Sequence, residues 1–141
     1  MVGGFATGAG AGKTVAPTTT CASTAPVRGV VVKACVDVTG LQVRTYGVVE
    51  TVGIAEPPGR PVEFLATVAA NVVCGDSLGT RSQALRVWNG VHVVEGPTGV
   101  VPCGSTVHAT VSLTPGPSGP GGGGNPLPGP VSVSVDVTVE D

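Results

Sequence analysis

Two sets of residues have the types and spacing to do chemistry. The first is the stretch TGAGAGKT, residues 7–14, which ends in Gly12, Lys13 and Thr14. A phosphate-cradling loop uses glycines to aim backbone N–H groups at phosphate oxygens, a lysine to reach them and a threonine to hold magnesium. Here the first position is Thr7, where such a loop has glycine. A phosphate loop also follows a buried strand and opens a helix, and Pro17 with Thr18, Thr19 and Thr20 stands where that helix would run. Nucleotide binding is therefore not expected, and no cofactor is expected. The second set is His92 and His108, with Asp37, Asp76 or Glu95 as further metal ligands. Structural metal sites use closer ligand spacing. Both histidines are expected on the solvent side, opposite the apolar neighbours Val91 and Val93 and Val107 and Ala109. No metal site is expected.

A third set needs a base that the chain does not place. Gly75-Asp76-Ser77-Leu78 resembles the block that names the GDSL esterases and lipases, and it follows an apolar run as it does there. The resemblance implies Ser77 as nucleophile. That family also requires a downstream Asp-x-x-His, and positions 89 and 105, three before His92 and His108, are Asn and Ser. The block is also similar to the serine segment of chymotrypsin-like proteases, but Leu78-Gly79 replaces the two glycines and the chain has no histidine segment like that family's. A serine with no assured base or oxyanion hole is a turn residue. The chain is read as a non-enzyme with no catalytic residue.

These residues must be held by a β framework. The chain has 141 residues, enough for one domain with its own core. Valine is the commonest apolar residue, aromatics are only 3%, and 23 Gly and 13 Pro interrupt the chain. That composition favours β-structure. GVVVKACVDV (29–38) reads as a strand ended by Thr39-Gly40. Residues 41–55 follow, with Leu41, Val43 and Thr45 alternating against Gln42, Arg44 and Tyr46, and with a bulge or bend at Gly47. Residues 56–61 (EPPGRP) read as a loop, 62–74 as a buried strand and 75–82 as a turn region. ALRVWNGVHVVE (84–95) predicts a hairpin with a type I′ turn at Asn89-Gly90. GPTG (96–99) turns the chain back into residues 100–113, where Val107, Ala109, Val111 and Leu113 share a face. Trp88 is assigned to the core, although an exposed Tyr46 or Trp88 would suit a sugar-binding face.

Both ends look different from the middle. Residues 1–20 show no periodicity and read as a flexible arm, so the sandwich domain is placed at 21–113. Residues 114–130 form a Gly/Pro-rich linker, and 131–141 carry the cleanest alternation in the chain. There Val131, Val133, Val135, Val137 and Val139 point one way, with Ser132, Ser134, Asp136, Thr138 and Glu140 opposite. Seventeen linker residues in the Gly-rich regime span roughly 20–25 Å. The linker can therefore return the strand to its own sheet or hand it to a partner, and the five valines are the candidate partner-binding residues. The expected fold is all-β, an immunoglobulin-like β-sandwich stapled by disulfides, with a flexible N-terminal arm and a tethered C-terminal strand.

Cys21, Cys35, Cys74 and Cys103 form no C-x-x-C pair, so two disulfides in an oxidising compartment are expected, with buried free thiols as the alternative; four cysteines allow three pairings, of which the sequential one, Cys21–Cys35 and Cys74–Cys103, is taken. The N-terminus has no signal-peptide pattern, which leaves any leader removed or outside this sequence. No window approaches a membrane span. A net charge of -2 gives no basic field for nucleic acid. VKACVDVTGLQVRTYGVV (32–49) and the Val/Thr/Ala/Gly/Arg-rich composition resemble small exported β-sandwich proteins of actinobacteria. Some similar proteins are adaptor subunits of secreted umbrella-like toxin particles. The resemblance implies a secreted binding role and carries over no site residue. The expected function is a non-enzymatic extracellular adaptor or structural subunit, binding other proteins through strand edges and terminal arms. A secreted protease inhibitor and a carbohydrate-binding module are the alternatives.

Overall fold

The computed structural model describes residues 17–53, 61–116 and 127–140. The phosphate-loop-like stretch 7–14 and most of the EPPGRP loop lie outside the described residues. Among the described residues eight strands follow one another: β1 (Thr18–Ser23), β2 (Val30–Thr39), β3 (Gln42–Thr51), β4 (Val62–Val72), β5 (Ser77–Val87), β6 (Gly90–Val100), β7 (Thr106–Pro115) and β8 (Val131–Thr138). They form two four-stranded antiparallel sheets, β1-β2-β3-β6 and β5-β4-β7-β8. The sheets pack face to face, with β2 over β7 and β8, and β6 over β4 and β5. This is the expected all-β sandwich.

Its core is built from the inward half of each alternation. Val30, Val32, Ala34 and Val36 of β2, Val43 and Val49 of β3, and Ala66, Val68 and Ala70 of β4 are all buried. Val107, Ala109, Val111 and Leu113 of β7 complete the middle, as their shared face predicts. Small residues let the sheets approach closely. A Cβ on Gly47 would lie 2.8 Å from Val111 Cγ1, so this glycine serves inter-sheet packing. The expected bulge is displaced from Gly47. It falls between Arg44 and Tyr46 of β3, where Gly96 and Pro97 of β6 stand opposite Thr45. Thr45 is buried, and its hydroxyl donates to the Pro97 carbonyl at 2.6 Å, satisfying a polar atom the bulge leaves inside.

The C-terminal strand completes this sandwich. β8 pairs with β7 from Leu113↔Val131 to Thr106↔Thr138. Val135, Val139 and Leu127 are buried, and Val131, Val133 and Val137 pack against the same core. The five valines proposed above as partner-binding residues thus face the chain's own interior.

Several local expectations give way to tertiary packing. Asn89-Gly90 closes no hairpin within a sheet, because β5 pairs with β4 and β6 with β3. The turn instead carries the chain across the sandwich, and Asn89 does not take the positive φ that a type I′ turn requires. GPTG does not reverse the chain; β6 runs through it with the bulge. Thr18, Thr19 and Thr20, expected in the arm, open β1, and Ser77 to Ser82, expected in a turn, lie in β5. Cys21 and Cys35 face each other across β1 and β2 and form a disulfide within one sheet. The second expected bridge is not made: Cys74 and Cys103 are exposed thiols on turns at the ends of β4 and β6. The two turns meet at one end of the second sheet, where the Val73 amide donates to the Thr106 carbonyl at 2.9 Å, but each cysteine follows its own turn, with Cys74 at a φ of 59°.

Candidate functional site

The outer face of the first sheet holds the densest charged cluster among the described residues. Arg44 lies between two carboxylates. Its Nε and Nη2 donate to Glu95 at 3.1 and 2.7 Å, and its Nη1 donates to Asp37 at 3.1 Å. The guanidinium also stacks over the Tyr46 ring at 4.4 Å. Asp37 accepts further bonds from the Thr19 hydroxyl at 2.7 Å and the Tyr46 phenol at 3.1 Å. Hydrogen bonding to Glu95 raises the Arg44 pKa, with desolvation opposing it and Asp37 adding to it. Tyr46 is also raised, first by burial and then by the Asp37 charge. An open cleft of about 400 Å³ adjoins the cluster, lined by Pro17, Thr39, Gln42, Thr98 and Val100 among others. Its charged groups are already engaged with each other, so the cluster braces β1, β2, β3 and β6 side by side.

The edge next to this cluster is different. The two sheets present four edge strands: β1, β6, β5 and β8. Three carry polar or charged side chains outward. β1 reads TTTCAS, β5 exposes Arg81 and Arg86, and β8 exposes Ser132, Ser134 and Asp136. Such residues discourage pairing with another chain. β6 instead exposes Val91, Val93 and Val100, at 66%, 51% and 69%. Val52, 74% exposed, stands beyond the end of β3, whose last pair joins Thr51 to Gly90. The C-terminal half of β6 is protected by the Gly96–Pro97 bulge, since proline has no N–H to offer and a bulge breaks the ladder. Among the described residues, the half from Gly90 to Glu95 has no such bulge or proline. Its outward row is Val91, Val93 and Glu95, beside Glu50, Val48 and Tyr46 of β3.

Sequence reasoning missed this edge because it took β6 for half of a hairpin. Val91 and Val93 then count as the apolar, inward set, and His92 as the outward residue. In the structure Val94 is buried and His92 is half-buried on its side of the strand, with Nε2 3.1 Å from the Trp88 carbonyl oxygen. The expected exposure of His92 is therefore corrected, whereas His108 does lie outward. His108 Nδ1 sits 2.5 Å from Asp136 Oδ1, and its Nε2 is 3.2 Å from the Thr110 hydroxyl, which is 2.9 Å from that of Ser134. This line joins β7 to β8 on an open sheet face.

The other chemistry-bearing residues are dispersed. Ser77 Oγ accepts from the Gly79 amide at 3.1 Å, a turn role, and among the described residues no histidine is bonded to it. Among the described residues no three His, Cys, Asp or Glu side chains gather into a metal-ligating group. Trp88 packs partly buried against the core. Among the described residues no helix is long and apolar enough to cross a membrane. No protein family, curated protein or solved structure matches the chain.

Proposed function

We propose that this protein is a non-enzymatic extracellular adaptor or structural subunit that binds another protein through the β6 edge of its first sheet. One observation carries the reading: β6 is the edge strand on which exposed valines concentrate, and its first half is unprotected. Adding a strand to such an edge uses backbone hydrogen bonds for affinity and alternate side chains for specificity. The Cys21–Cys35 disulfide supports an oxidising compartment. The toxin-particle assembly implied by the resemblance of residues 32–49 is one setting for such a subunit. The C-terminal strand is left out of this reading because its valines serve the chain's own core.

Co-purification from culture fluid tests it, comparing the native chain with Val91→Lys/Val93→Lys. Both sites are exposed, so the variant should melt like the parent. A stoichiometric protein partner held by the parent and lost by the variant is the expected result. A partner retained by the variant, or none with the parent, would refute the edge as the binding surface.

A further inference from the structure

The same edge also specifies what kind of strand it takes. We infer that the occupant of β6 is an extended, antiparallel segment of another protein whose face reads basic, apolar, apolar at two-residue steps. The inference rests on the edge-binding reading above and adds the partner's chemistry.

A strand added beyond β6 places alternate side chains beside Val91, Val93 and Glu95, because those three share the outer face. Beside Val91 and Val93, the matching residues are β-branched or otherwise apolar. Beside Glu95 the match is a cation. Glu95 is 53% exposed, and Arg44, its partner, is shared with Asp37. Two carboxylates therefore share one guanidinium, which leaves the cluster with one negative charge in excess. A lysine or arginine on the incoming strand would neutralise that excess and cap the open side of Glu95. The Gly96–Pro97 bulge stops the ladder just past Glu95, so the basic residue sits at the N-terminal side of an antiparallel segment.

The same row disfavours a second copy of this chain. An antiparallel β6–β6 pair centred on Val93 sets each Glu95 against a Val91, and one centred on Glu95 sets carboxylate against carboxylate. Neither supplies the missing cation.

Fluorescence anisotropy with two dye-labelled, end-capped peptides tests this on the full chain. One has lysine at its second position and valine at its fourth and sixth, with serine or threonine between; the other has glutamate for lysine. Cross-strand charge pairs of this kind predict that the lysine peptide binds roughly three- to tenfold more tightly at low salt. The margin should shrink in high salt. Val93→Lys should abolish binding of both peptides, and Ser132→Lys on the β8 edge should leave both unchanged. Equal affinity for the two peptides, with Val93→Lys still abolishing it, overturns the basic partner but keeps the edge. Binding of neither peptide, or binding indifferent to Val93→Lys, overturns the edge reading as well. A dimer of the chain alone that Val93→Lys dissolves would assign the edge to a second copy and overturn the proposal.

Discussion

Removing the C-terminal strand should unfold this protein, and the size of the effect can be worked from its buried side chains. A chain ending at Gly116 lacks Leu127, Val135 and Val139, which are buried, and Val131, Val133 and Val137, which pack against the core. Full burial of such a side chain contributes about 1.5–3 kcal/mol. Together the six represent roughly 6–13 kcal/mol, with the partly covered ones counted at about half. Domains of this size have about 5–15 kcal/mol of stability in total. Loss of β8 also bares the β7 ladder along Thr106–Leu113. Thermal unfolding by circular dichroism should show the cooperative transition of the full chain and none in the truncated one. Leu127→Ala gives a graded version: a cost of about 2–5 kcal/mol, or roughly 10–20 °C in Tm. Ser132→Ala, on the opposite face, should move Tm by about 2 °C or less. If the truncated chain melts cooperatively within a few degrees of the parent, the strand adds nothing to the monomer, and the assignment of its valines to the core is wrong.

Four further outcomes are expected. Tyr46 is the single tyrosine, so absorbance at 295 nm should report its ionisation directly, above the usual value near 10. Because the folded pKa is raised, its stabilising contribution is whole below about pH 10 and is lost as pH rises beyond it; Tyr46→Phe should remove that part of the alkaline loss. Gly96→Ala should cost about 1–3 kcal/mol, since the new Cβ would lie 2.4 Å from Val68 Cγ1, and adding Val68→Ala should recover part of it in denaturant melts. Arg44→Met should destabilise by about 1 kcal/mol at low salt and by less at high salt, because the side chain is 43% exposed and screened; an equal loss at both salts would argue against an electrostatic role. Maleimide labelling of the folded chain should add two adducts, at Cys74 and Cys103, with Cys21–Cys35 intact in non-reducing mass spectrometry; no labelling would mean that the two thiols are paired after all.

The alternation of valine with polar residues carried much of the fold. It placed β2, β4, β7 and β8, and it named the inward residues of β7 correctly, because a two-residue period with one apolar face can bury only that face. Pairing the cysteines in sequence order named the Cys21–Cys35 bridge, but the strand that sets Cys21 opposite Cys35, β1, was not legible, because its first residues show no apolar alternation. That Cys74 and Cys103 form no bridge was not legible, since it depends on the turn conformations that hold them.

What the sequence by itself determined is that this chain builds β-strands with valine faces. What only the tertiary structure decided is which strands are neighbours and which face of each is covered. Asn89-Gly90 has the local chemistry of a hairpin, yet β5 and β6 each find a better partner in a different sheet, because several ladder bonds and a buried face outweigh one turn preference. That choice turns Val91 and Val93 outward and makes β6, paired with β3 on one side, an edge strand of its sheet. The candidate binding edge is thus a consequence of long-range pairing, and no local pattern in residues 84–95 encodes it.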